Sequence, residues 1–200
     1  MTMRWTMIGA AALALAGCSE SAPEDAAEGS EFTMQETPNL PADPDGVVRL
    51  RGDGLEVTGP LGTMLTFGSL RAPVEAELAK VFGEARDAGT NTECGAGPIA
   101  FTEYPGGLTL NFQEGSLVGW SLRDGDSEIG GESADVATAE GIALDSSEAE
   151  LAAAYEVEMM TDSTLGEEFT TPAGIFGFLT GEGAEREVES LHAGTNCFFR

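Results

Sequence analysis

The chain has very few basic side chains. Its 200 residues include 9 Lys and Arg against 35 Asp and Glu, which gives a formal net charge of −26. Nucleic-acid binding needs clustered cations that neutralise phosphates, so this composition argues against a nucleic-acid partner. There is one histidine, His192, which excludes any site that needs two or more imidazoles.

Long apolar runs are also scarce. The uncharged stretch Thr6–Leu15 is only ten residues long, too short for a helix that must cross a bilayer core of about 30 Å. It follows a single cation, Arg4, and this order is typical of a secretory signal peptide. No later stretch approaches the length of a membrane span, so the remaining residues are expected to lie in water.

The residues after this stretch, Leu15-Ala16-Gly17-Cys18, resemble the lipobox of bacterial lipoproteins. The resemblance implies that residues 1–17 are removed as a signal peptide and that Cys18 carries the lipid. Two or three acyl chains anchor a protein stably where one does not. Ser19 follows the cysteine where Asp would signal retention, so the resemblance implies an outer-membrane anchor facing the periplasm. An ordinary secretory signal with a chance cysteine is the alternative.

The segment that follows Cys18 has no Lys or Arg. Residues 19–46 contain eight acids and four prolines, a composition that buries too little apolar area to fold by itself. Residues 18–46 are therefore predicted to form an acidic flexible tether that holds the folded part away from the membrane.

Cysteine is rare, with three residues in the chain. If Cys18 is acylated, Cys94 and Cys197 remain as an even pair in an oxidising compartment. We expect a structural disulfide between them, and the alternative is a pair of free, buried thiols. A redox site is disfavoured because the pair lacks the C-x-x-C spacing and a neighbouring cation.

A similar pattern occurs twice along the chain. Val74, Leu78, Val81 and Phe82 form an apolar helical stripe that stops at Gly83, and Ser147-x-x-Glu150 is a capping box that starts a second helix. Strand patterns follow each helix. The sequence therefore predicts an α+β fold of two tandem helix-plus-antiparallel-sheet units, residues 47–123 with a leading hairpin and residues 141–200, joined by an acidic link at 124–140.

The strand pattern of the first unit also predicts a turn and a sheet face. A three-residue loop Gln113-Glu114-Gly115 avoids a positive φ at Glu114. It places one set of apolar side chains on a shared face: Leu108, Leu110, Phe112, Val118, Trp120 and Leu122. The opposite face then carries Thr109, Asn111 and Ser121. In the second unit, Asn196–Arg200 is predicted to be the last strand.

The tandem unit resembles that of β-lactamase-inhibitor-type proteins and of outer-membrane-assembly lipoproteins of the SmpA/OmlA kind. The matching residues are Gly68-Ser69 before Val74, the glycine-terminated helix, and the counterpart that runs from Asp145-Ser146-Ser147 to Leu151. This resemblance implies a concave sheet that binds protein, and no catalysis.

Motifs for metal or cofactor chemistry are weak. Asp124, Asp126 and Glu128 have the spacing of the first calcium ligands of an EF-hand, but Ile129 stands where that loop needs glycine. A solvated acidic loop is favoured, and no metal or cofactor is predicted. Trp120 is either a core residue, which we favour, or an anchor on a binding face.

Three functions remain open on these grounds. The first is a non-enzymatic protein-binding or assembly module that meets another envelope protein. The second is an envelope enzyme that acts on glycan through paired carboxylates in a deep cleft. The third is a structural surface protein without a dedicated ligand.

Overall fold

A computed structural model of the chain describes residues 47–59, 62–124 and 136–197. Cys18, the predicted tether and the acids at 126 and 128 lie outside the described residues. The described elements, in chain order, are β1 (Val48–Arg51), β2 (Gly54–Val57), β3 (Thr63–Thr66), α1 (Arg71–Phe82), β4 (Asp87–Asn91), β5 (Ile99–Glu103), β6 (Leu108–Gln113), β7 (Ser116–Arg123), β8 (Val136–Thr138), α2 (Glu148–Ala154), β9 (Glu158–Met159), β10 (Glu167–Thr170), β11 (Phe176–Thr180) and β12 (Glu187–Gly194).

The strands form two sheets. One has four strands in the order β3-β2-β1-β8, and the other has eight strands in the order β4-β5-β6-β7-β12-β11-β10-β9. All neighbours in the eight-stranded sheet are antiparallel. In the four-stranded sheet, β8 runs parallel to β1.

This architecture corrects the predicted fold class. The described part of the chain is mostly β, with two helices of only 12 and 7 residues. The strands predicted for two separate units join through the β7–β12 pair into one continuous sheet. A second sheet, which the prediction lacked, recruits β8 from the segment predicted to be a link. Two tandem helix-plus-sheet units are therefore the wrong description.

The leading hairpin is confirmed. β1 and β2 pair from Val48–Val57 to Arg51–Gly54 around a turn at Gly52-Asp53. A side chain at residue 52 would place its Cβ 1.8 Å from the carbonyl oxygen of Ala173. Only glycine allows the hairpin tip to pack this closely against the turn before β11.

The end of α1 and the start of α2 lie at the predicted residues. Val74 and Leu78 of α1 are fully buried, and Gly83 ends the helix with a φ of 74°. At α2, the backbone N–H of Glu150 donates to the Ser147 side chain, and the Ser147 backbone N–H donates to the Glu150 carboxylate. The predicted capping box is confirmed.

One core fills the space between the two sheets and the helices. It joins apolar residues of both sheets and both helices. Trp120 has no exposed surface, and its indole Nε1 donates to the carbonyl of Arg51 over 2.8 Å. Trp120 is therefore a core residue that connects the sheets, which corrects the alternative of an exposed anchor on a binding face.

The loop between β6 and β7 differs from the prediction. Gln113 pairs with Ser116, so the loop is two residues long, and Glu114 and Gly115 have φ values of 51° and 79°. These angles are typical of a type I′ turn. A register shift then makes Val118 the extra residue of a bulge. The predicted apolar face is still formed, except that Leu117 is fully buried and Val118 is not.

The segment after β12 also differs from the prediction. β12 ends at Gly194, and residues 195–197 are not in a strand. Residues 198–200 lie outside the described residues, so the described part of the predicted last strand is an irregular segment. Within the described ranges, no helix is long and apolar enough to cross a membrane.

Candidate binding site on the outer face of the sheet

The eight-stranded sheet has an inner face and an outer face. The helices and the four-stranded sheet lie on the inner face, where Arg71 of α1 donates to Thr102 of β5 over 2.9 Å. No described helix or strand packs on the outer face. Strand pairing places one row of outer side chains across all eight strands: Asp87, Glu103, Thr109, Ser121, His192, Phe176, Thr170 and Glu158.

The β9–β12 half of the outer face is closely packed. The His192 ring is stacked with the rings of Phe176 and Phe178, at centroid distances of 5.6 and 6.0 Å. Glu168, which faces Phe178 across the strands, is 1% exposed and accepts a hydrogen bond from the Ser163 hydroxyl over 2.7 Å. The described side chains of this half are therefore aromatic rings and a hydrogen-bonded acid.

The β4–β7 half contains a groove of about 300 Å³. This volume lies at the lower end of the range for small-molecule sites. The lining residues come from four neighbouring strands and from the segment after β12: Asn91, Ile99, Phe101, Glu103, Thr109, Asn111, Ser121, Arg123, Asn196 and Cys197. Period-two alternation sends these side chains outward while their neighbours fill the core.

The groove contains one acid and one base. Glu103 and Arg123 are both exposed, and neither has a salt-bridge partner among the residues that the structure describes. Four other described cations, Arg51, Arg71, Lys80 and Arg186, do form salt bridges. The two groove charges are therefore available to a ligand.

An aromatic ring forms part of the groove wall. Phe101 of β5 faces Gly89 of β4 across the strands, and a Cβ at residue 89 would lie 2.9 Å from the tip of the Phe101 ring. The ring therefore occupies the space that a side chain on β4 would take. It covers the exposed backbone of an edge-strand glycine, an arrangement known as aromatic rescue.

The segment after β12 forms the remaining wall. The Asn111 amide Nδ2 donates to the Asn196 side-chain oxygen over 2.8 Å, and the Thr195 backbone N–H donates to the Val118 carbonyl. The Cys94–Cys197 disulfide then ties this segment to the loop after β4, with a Cα–Cα distance of 5.3 Å. The predicted disulfide is confirmed, and it holds one side of the groove in place.

Two tyrosines with shifted pKa values lie outside the groove. Burial, together with the nearby Glu75 carboxylate, raises the pKa of Tyr104. Burial and a hydrogen bond to Glu140 raise the pKa of Tyr155 to about 12. Tyr104 packs against Phe82 of α1 on the inner side, so both shifts are explained by packing.

The structure places the candidate residues from the sequence in different environments. Cys94 and Cys197 are joined beside the groove, and Trp120 is in the core. No group of three or more metal-ligating side chains is found among the described residues. Sequence analysis did not identify the groove, although the predicted outward positions of Thr109, Asn111 and Ser121 mark its floor.

Comparison with known proteins gives no relative. No family model matches the sequence, no curated protein is significantly similar to it, and no solved structure matches the fold.

Proposed function

We propose that this protein is a lipid-anchored, non-enzymatic binding module of the bacterial cell envelope, which holds another envelope protein against the outer face of its eight-stranded sheet. The observation that carries the proposal is the layout of this sheet. All described helices and the second sheet lie on the inner face, and the outer face carries exposed charged residues on both edge strands.

The anchor rests on the Leu15–Cys18 motif and the short apolar stretch before it. Acyl chains on Cys18 would attach the chain to a membrane, while the acidic segment would hold the folded part in water. Replacing Cys18 with Ser should abolish lipidation and release the chain from the membrane fraction or leave it unprocessed. Unchanged fractionation, with no loss of acyl mass, would show that the anchor is wrong.

The protein partner is supported by the form of the outer face. Its row of side chains runs from Asp87 at one edge to Glu158 at the other, and both of these residues are exposed. A rigid antiparallel sheet presents such a row without an ordering cost on binding. The large negative charge of the chain favours a partner with a basic surface, because complementary charge increases the association rate.

Site-specific photocrosslinking in intact envelopes tests this partner. A photoreactive residue at Asp87 or Glu158 should give a discrete protein adduct. The same residue at Met64, an exposed position of the other sheet, is the matched control and should not. Equal labelling from all three positions, or no adduct from either outer-face position, would contradict the proposal.

The paired-carboxylate enzyme receives less support from the groove. A glycosidase of that kind needs two carboxylates about 5–10 Å apart on either side of the scissile bond. The groove lining includes a single carboxylate, that of Glu103. We therefore propose binding rather than hydrolysis.

A further inference from the structure

We infer that the groove on the β4–β7 half of the outer face is a binding site for a neutral saccharide of one or two pyranose rings. This site goes beyond the proposed protein partner and does not depend on it. Three properties of the groove define the ligand: its charge balance, its hydrogen-bonding groups and its aromatic wall.

The charge balance favours a ligand with no net charge. Glu103 and Arg123 are exposed and unpaired within the described part of the chain, and their charges cancel. A carboxylate or phosphate ligand would meet Glu103 and the field of a chain with net charge −26. A cationic ligand would leave Arg123 uncompensated or repelled. A neutral ligand uses both groups, the acid as a hydrogen-bond acceptor and the guanidinium as a donor.

The uncharged lining groups match a polyhydroxylated ligand. Thr109 and Ser121 carry hydroxyls, and Asn91 carries an amide, so each of the three both donates and accepts. Asn111 donates its amide N–H to Thr195 and Asn196, which leaves its side-chain oxygen to accept. A pyranose ring carries several hydroxyls, and each of them likewise donates and accepts. Few other neutral ligands of this size carry so many groups that both donate and accept hydrogen bonds.

The aromatic wall supplies an apolar surface for the ring itself. Phe101 is held in place over Gly89, and Ile99, which is 2% exposed, lies beside it in the lining. The C–H face of a pyranose packs on an aromatic ring, while its hydroxyls point to the polar groups around it. Small-molecule sites commonly combine such apolar walls with a few fixed polar groups.

The groove is also rigid. Its strand residues belong to four neighbouring strands of a continuous sheet, and the Cys94–Cys197 disulfide holds the Asn196 wall. A preformed site loses little conformational entropy on binding, which matters for a small polar ligand with modest intrinsic affinity.

The test measures binding to the processed chain purified in detergent, without any protein partner. The probes are cellobiose and N,N′-diacetylchitobiose, which are neutral, and cellobiuronic acid, which has the same length and carries a carboxylate. Calorimetry gives the affinity, and amide chemical shifts locate the site. At least one neutral probe should bind, with shifts at groove residues such as Thr109 and Ser121, and the acidic probe should bind more weakly.

Variants separate the site from general stability. Phe101→Ala should weaken binding about tenfold through loss of the stacking surface, whereas Phe101→Tyr keeps a ring and should retain it. Arg123→Gln should also weaken binding, and Met64→Ala, on the other sheet, should leave it unchanged. Thermal unfolding of each variant confirms that it is folded.

Three results would overturn the inference: no neutral probe binds, the acidic probe binds more tightly than the neutral ones, or folded Phe101→Ala binds as well as the parent chain. None of these results bears on the protein partner, because the photocrosslinking positions Asp87 and Glu158 lie outside the groove lining.

Discussion

The two halves of the eight-stranded sheet use the same backbone pattern for different surfaces. On the β9–β12 half, Phe176, Phe178 and His192 stack on one another and Glu168 is buried. On the β4–β7 half, β6 and β7 carry the short polar side chains of Thr109, Asn111 and Ser121, and these line a groove. An antiparallel sheet fixes where side chains point, and the side chains at those positions determine whether they form a packed layer or a groove.

The halves also differ in what holds them together. The β9–β12 half is stabilised by the apolar surface that its packed aromatic side chains bury. The groove half has fewer large side chains on its outer face and gains a covalent link, the Cys94–Cys197 disulfide, at its edge. The disulfide therefore supplies a constraint at the groove that the small side chains on its floor do not.

Removal of the disulfide should have the largest effect. The two cysteines are 103 residues apart, and closing a loop of that length contributes up to about 4.7 kcal/mol on the chain-entropy model. Cys94→Ala and Cys197→Ala should lower the free energy of unfolding equally in urea titrations. The double variant should lower the free energy of unfolding by no more than either single variant, because each single substitution already removes the whole constraint. Small, additive costs would show that the link does not stabilise the groove half.

Truncating one phenylalanine in each half should sharpen the comparison. Phe178 is 8% exposed. Phe178→Ala should therefore lower the free energy of unfolding by about 3 kcal/mol, as the loss of a buried aromatic side chain does. Phe101 is only half-buried, so Phe101→Ala should lower the free energy of unfolding by about 1 kcal/mol. Urea unfolding of the two variants gives both changes in the free energy of unfolding. Equal changes would contradict the distinction between a packed half and an open half.

The helices that precede the two halves differ at their amino ends. Ser147→Ala removes the capping box of α2 and should lower the free energy of unfolding by about 1 kcal/mol. α1 has Leu70 at its cap, 65% exposed and without a side-chain hydrogen bond to the helix. Leu70→Ser should therefore raise the free energy of unfolding by up to about 1 kcal/mol. Thermal unfolding under matched conditions compares the two, and a loss of stability in Leu70→Ser would contradict this explanation.

The smallest effect concerns pH. Hydrogen bonds from the Ser147 hydroxyl and backbone N–H lower the pKa of Glu150 from its ordinary value of 4.5. A lowered folded-state pKa contributes stability that is fully present above about pH 4.5 and is lost as the pH falls through the folded value. Carboxyl-carbon NMR titration should show the low pKa in the parent chain and a return toward 4.5 in Ser147→Ala. An unchanged pKa in the variant would show that the Ser147 hydroxyl is not a cause of the shift.

Local signals in the sequence predicted individual turns and helix ends, although the predicted fold class was wrong. The capping box at Ser147, the glycine stop at Gly83 and the turn at Gly52-Asp53 each depend on a few adjacent residues, and all three are confirmed. The disulfide between Cys94 and Cys197 was predicted on the assumption that Cys18 is acylated, which leaves the other two cysteines as a pair. The wrong loop at Glu114 shows the limit of local rules. A residue there adopts a positive φ, and a bulge three residues after Gly115, at Val118, restores the apolar face.

The features that were missed depend on distant partners. β4 has the sequence Asp-Ala-Gly-Thr-Asn, which has low strand propensity, and it becomes a strand by pairing with β5 under the Phe101 ring. β8 lies in a segment whose composition predicts a link, and its strand form depends on parallel pairing with β1. The groove collects residues from four strands and one loop, so no short motif could reveal it.

The β7–β12 pair has a consequence for how the chain reaches this structure. It forms the middle of the eight-stranded sheet, yet β8, α2 and β9 to β11 all lie between β7 and β12 in the chain. The centre of the sheet therefore cannot assemble until these two distant strands meet, and until then β7 has an unpaired edge. Sheets built from such distant strands fold slowly, and an unpaired strand edge can pair with another chain, so this protein depends on remaining unaggregated until β7 and β12 pair.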